Sequence, residues 1–119
     1  MADTLSILAN ALLVPSGTTK TQPYTDALDA AAYKSIECQI DIPGNAPTTV
    51  TIQSSMTRNP DDSSWVDAGS LSSFTAGCAN NTLQIPASGK ALFRFVRWKI
   101  VNSGANNATV SITGLARTS

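Results

Sequence analysis

The sequence of 119 residues contains no histidine, two cysteines, few aromatics (three Phe, two Trp, two Tyr) and only 13% charged residues. Without histidine, the usual general base and the commonest metal ligand are missing together, so Ser-His-Asp and zinc-hydrolase chemistry lose their central residue. No serine sits in a Gly-x-Ser-x-Gly elbow, and no glycine-rich phosphate loop occurs. The carboxylate groupings to weigh are Asp26 with Asp29, and Asp61, Asp62 and Asp67. The last three lack the alternation and closing Glu of a calcium loop and read as a solvated turn. The expectation is a protein that is not an enzyme, with no catalytic residues, no cofactor and no metal.

Cys38 and Cys78 are too few and too far apart for a zinc motif or a disulfide-rich scaffold, although one bridge between them stays open. Eight basic residues balance eight acidic ones, so no overall field draws the chain to nucleic acid or to an anionic membrane. No stretch reaches the roughly 18 to 20 apolar residues of a membrane span. The first residues, Met1-Ala2-Asp3-Thr4-Leu5-Ser6-Ile7-Leu8-Ala9-Asn10, carry an acid where a signal peptide needs a basic region, which argues against export.

What is present is alternation. In residues 35–42, Ile36, Cys38, Ile40 and Ile42 alternate with polar neighbours, the pattern of a strand with one wet face. Pro43-Gly44-Asn45 breaks it, and Val50 and Ile52 resume it, so the two segments read as a hairpin with a longer loop. Cys38 then belongs to the buried row, as a small core side chain. A polar loop around Asn59-Pro60-Asp61-Asp62 separates this pair from a short strand beginning at Trp65. Residues 82–85 form another brief strand, stopped by Pro86 and suited to a sheet edge.

Residues 92–101 are aromatic and β-branched, favouring a strand whose Leu92, Val96, Trp98 and Ile100 face the core. A turn-forming stretch at 102–107 leads to a last strand with Ala108, Val110 and Ile112 inward, read as a second hairpin. Residues 11–14 supply a first strand, and the Ala-rich stretch 26–32 is the one place where a helical turn competes. Seven or eight short strands predict an all-β, antiparallel, jelly-roll-like sandwich. Its expected bounds are a single domain at residues 11–119, preceded by an arm at residues 1–10.

Two features suggest contact surfaces. Four of the eight basic residues, Lys90, Arg94, Arg97 and Lys99, fall within ten positions, which reads as a basic outer strand face that either pairs with an acidic partner or keeps the strand soluble. Leu5, Ile7 and Leu8 make the N-terminal segment more apolar than a free tail should be. Leu5, Ile7, Leu8, Arg97 and Lys99 are therefore the candidate protein contacts. Trp98 shares parity with the core, whereas Trp65 follows a polar loop and is the candidate platform for a sugar.

Thr51-Ile52-Gln53-Ser54-Ser55, then Ser64-Trp65-Val66-Asp67-Ala68-Gly69-Ser70, then Phe93-Arg94-Phe95-Val96-Arg97-Trp98, then Val110-Ser111-Ile112-Thr113-Gly114 together resemble the small β-sandwich virion proteins of tailed bacteriophages. These have a jelly-roll or galactose-binding-like pattern, and the likeness covers about residues 9 to 117. The resemblance implies a capsid decoration, minor capsid or tail-associated component, made in a bacterial cytoplasm and carried in the virion. Its implied partners are the major capsid protein, other virion proteins and copies of itself in a homo-oligomer. The alternative is a carbohydrate-binding sandwich module, resting on Trp65 and the galactose-binding-like relatives.

Overall fold

The computed structural model describes residues 4–42, 48–72 and 81–118. Two antiparallel sheets pack face to face, as expected for a sandwich. Their strands are β1 (Thr4–Val14), β2 (Thr19–Thr21), β3 (Leu28–Asp29), β4 (Ser35–Asp41), β5 (Thr48–Ser55), β6 (Val66–Leu71), β7 (Thr82–Ile85), β8 (Phe95–Asn102) and β9 (Ala108–Arg117). The first sheet has the order β1-β9-β4-β7 and the second β2-β8-β5-β6, with β3 also on β8. β2 and β3 meet successive parts of the same side of β8, Thr19 to Thr21 opposite Val101 to Lys99 and Leu28 opposite Val96, so they act as one interrupted strand. Counted so, the two strand orders are those of a jelly roll, two Greek keys wrapped over one core, with β5 and β6 the one consecutive pair among these strands that shares a sheet.

The predicted alternation is present where it was read. Ile36, Cys38 and Ile40 of β4, Val50 and Ile52 of β5, Val96, Trp98 and Ile100 of β8, and Val110 and Ile112 of β9 form the core between the sheets, with Leu92 packed against it. Each β-branched row points inward because successive side chains in a strand face opposite ways. β7 is an edge strand ending at Pro86, where proline cannot continue a ladder. The Ala-rich stretch gives no α-helix. A single 3-10 turn at Tyr24–Asp26 precedes β3, and Ala27 and Ala30 are buried.

The pairings differ from the sequence reading in two places. β4 and β5 are not a hairpin, and neither are β8 and β9: each pair splits between the two sheets. Alternation and turn residues look the same whether the chain folds back beside itself or crosses to the opposite layer, so they do not say which occurs. The hairpin lies instead between β5 and β6, across the polar segment 56–65, with Thr51 opposite Ser70. Pro43-Gly44-Asn45, assigned to the first turn, lies outside the described residues.

The arm expected at residues 1–10 also differs, because from Thr4 onward that segment is the beginning of β1, paired with β9 from Thr4↔Ala116 to Val14↔Ala108. No boundary falls at residue 10. The register slips between Ile7 and Ala9 and again between Ala9 and Leu12, and at the second slip Ala11 has φ +48°. These bulges shift the inward parity along β1, which hides the strand from a strict period of two. The Ala11 amide donates to Ser111 Oγ at 3.0 Å, holding the bulge onto β9.

Candidate interaction surfaces

The outer face of the second sheet holds much of the polar chemistry, and its two sequence candidates, Trp65 and Arg97, are covered. Residues 56–65 fold back over β8, with Arg58 and Trp65 against Phe95 and Asp62 on Arg97. Their Trp65 is 5% exposed and clusters with Phe95 and Ala27. Its Nε1 donates to the Asn59 carbonyl at 2.9 Å, meeting the need of a buried indole for a partner. Trp65 is thus a lid over the sheet and presents no free face, which corrects its assignment as a sugar platform.

Arg97 is corrected in the same way. Its side chain is 3% exposed, with the guanidinium 4.5 Å from the centre of a Trp65 ring. Nε donates to Gln53 Oε1 at 2.9 Å and Nη1 to Asp62 Oδ1 at 3.0 Å. Gln53 Nε2 in turn donates to Asp67 Oδ1. Parity had placed Arg97 outward, correctly, but outward on this sheet means under the loop.

The basic stripe is therefore dispersed. Lys90 is exposed, Arg94 stands before β8 in an ion pair with Asp29 at 3.1 Å, and Lys99 is half-buried between Thr21 and Thr51. The Asp29 carboxyl is held below its ordinary value of 3.8, first by the hydrogen bond from Arg94 and next by the amide of Ala31. The guanidinium groups of Arg58 and Arg94 lie over the Phe95 ring, 4.4 and 5.0 Å from its centre.

The loop aspartates each have a local partner. Asp61 accepts from the amide and hydroxyl of Ser63, which lowers its pKa, while Asp62 holds Arg97 and Asp67 holds Gln53. No group of three His, Cys, Asp or Glu side chains placed to hold a metal ion occurs among the described residues. Nor is any helix among them long and apolar enough to cross a membrane. Cys38 is fully buried, and burial pushes its thiol up to about 12. Its pairing with Cys78 lies outside the described residues.

The first sheet is different. On its outer face Leu5 lies opposite Leu115, and Ile7 opposite Thr113. Leu5 and Ile7 are 69% and 70% exposed. Leu5, with Leu115, Glu37, Gln39 and Thr82, borders a shallow depression of about 270 Å³. Leu8 points the other way: it is half-buried against the core, and its carbonyl accepts the Trp98 indole N–H at 2.9 Å. Of the three apolar N-terminal candidates, Leu5 and Ile7 are available for contact, while Leu8 fastens β1 to the core.

A groove of about 470 Å³ at one end of the sandwich was not anticipated. It brings together Tyr33, Met56, Leu92, Phe93 and Arg94 from three separate connections. No local pattern groups these residues, since the fold alone makes them neighbours.

No protein-family model matches this sequence, and no curated protein matches it. Among solved structures the chain is similar to the SPBc2 prophage-derived protein YomS, at 12% identity and a TM-score of 0.48. The alignment covers 96% of this chain and 93% of that one.

Proposed function

We propose that this chain is a non-enzymatic structural component of a tailed-phage virion, a capsid decoration, minor capsid or tail-associated protein that works by protein–protein contact. The observation that carries the reading is the exposed apolar pair Leu5 and Ile7 beside Leu115 on a sheet face that also carries Glu37, Gln39 and Thr113. Large apolar side chains grouped on a surface cost solubility unless something covers them. The jelly-roll order agrees with the fold that the resemblance to virion sandwiches implies. Its partners on this reading are the major capsid protein, other virion proteins and further copies of the chain. It is made in the host bacterial cytoplasm and ends up in the particle.

The test has two parts. The gene should lie among capsid, portal or tail genes, and the purified protein should pellet with capsids or tails of the corresponding phage. Replacing Leu5 and Ile7 together by Lys should release it into the supernatant while leaving the fold intact. Failure of the wild-type chain to pellet with either particle would overturn the reading.

A further inference from the structure

We infer that the first half of β1 pairs antiparallel with the β1 of a second copy, across a two-fold axis at Ser6. The inference rests on the reading of Leu5 and Ile7 as contact residues and names what covers them.

It begins from the sheet edges, where unpaired N–H and C=O groups invite another strand unless something guards them. On one side of the sandwich the edges β6 and β7 cover each other: the Ala87 amide, just after β7, donates to the Ala68 carbonyl of β6 at 2.7 Å, and Gly69 packs against Ile85. On the other side, the edge of the second sheet is broken into β2 and β3, which carry Lys20 and Asp29. β1 has none of these protections. It is the longest strand among the described residues, its sequence Thr-Leu-Ser-Ile-Leu-Ala-Asn-Ala-Leu-Leu-Val is free of charge, and its side away from β9 has no neighbour among them.

The bulges limit where pairing can occur. Register with β9 is unbroken from Thr4 to Ile7 and again, over a shorter run, from Leu12 to Val14, and the slips between them bend the strand. An antiparallel pair centred on Ser6 uses the longer run. It sets each Leu5 opposite the second copy's Ile7, at the distance where cross-strand side chains touch. Both residues face outward, so the four side chains close into one apolar cluster beside Leu115 of each copy. A strand with no charge has nothing to offer an acidic or basic partner, whereas it is complementary to itself. So short a pair falls below the ~1,200 Å² of stable complexes, giving a weak dimer that is strengthened where copies are held close.

Sedimentation equilibrium on the full chain, with concentration carried into the millimolar range, tests this. A concentration-dependent dimer is expected, with a dissociation constant raised at least roughly tenfold by Ile7→Lys. Ile7 is exposed, so a far-UV spectrum and melting curve like the wild type's will show that the monomer is intact. Leu13→Lys, an exposed position of the same strand beyond the bulges, is expected to leave the dimer unchanged. A wild-type chain that stays monomeric throughout, or a dimer as sensitive to Leu13→Lys as to Ile7→Lys, overturns the pairing. A monomer that still pellets with virions overturns the pairing alone, and a dimer that does not pellet overturns the virion reading alone.

Discussion

The guanidinium of Arg97 lies against the indole of Trp65, 4.5 Å from a ring centre, and both side chains are buried on the outer face of the second sheet. A charge is thus held beneath a surface loop, with Gln53 on one side and Asp62, itself 82% exposed, on the other.

This arrangement makes an exposed aspartate matter. Asp62→Ala would leave Arg97 charged and covered with its counter-ion gone, and removing one partner of such a pair is destabilising. A loss of about 1 to 3 kcal/mol is expected in urea unfolding, against under about 0.5 for an ordinary surface change. Adding Arg97→Met should recover part of it, because no charge is then stranded. An Asp62→Ala chain as stable as wild type would show that the pair contributes nothing.

Gly69 is fixed by a close approach. A Cβ built there would stand 2.8 Å from Ile85 Cδ1, and Ile85 is fully buried. Gly69→Ala should cost about 1 to 3 kcal/mol through overpacking. Ile85→Val alone should cost about 0.5 to 1.5 kcal/mol, and the double variant less than the sum. Additive losses in thermal unfolding would argue against the contact.

Asp29 predicts an acid limb. Its folded pKa is depressed, first by the Arg94 hydrogen bond, so its contribution is complete above the unfolded value near 3.8 and is lost as pH falls through the folded value. Melting temperature should therefore drop between about pH 5 and pH 2, with a shallower drop in Asp29→Asn. Because the pair is exposed, the difference should be small and should shrink with added salt. Identical acid limbs in the two proteins would contradict the assignment.

Cys38 should be inert. With its thiol raised to about 12 by burial, almost no thiolate exists at pH 8, and iodoacetamide should leave the Cys38 peptide unmodified in the native protein yet alkylate it rapidly in denaturant. Equal rates in the two states, read by mass spectrometry, would mean that this part of the first sheet opens readily.

Much of the fold was legible because it follows from nearest neighbours along the chain. The inward row of Ile36, Cys38 and Ile40, the row of Val96, Trp98 and Ile100, and the stop at Pro86 each follow from strand periodicity or from the chemistry of one residue. β1 was half hidden because its bulges break that periodicity between Ile7 and Leu12. Of the candidate contacts, Leu5 and Ile7 stand exposed, whereas Arg97 and Trp65 are enclosed together. Strand parity puts Arg97 on the outer face, but parity names a face without saying whether that face meets water.

By itself, then, the sequence determined the class of the molecule: alternating apolar rows with frequent turns fold only by burying one face of each strand, and this requires two layers. The tertiary structure decided how those strands are shared out. A turn after β4 or β8 is compatible with a partner beside it or across the core, and the choice depends on which rows fill the interior together. The same packing laid residues 56–65 over Arg97 and left Leu5 and Ile7 uncovered, so the surface available for contact was set by long-range burial, which no local pattern records.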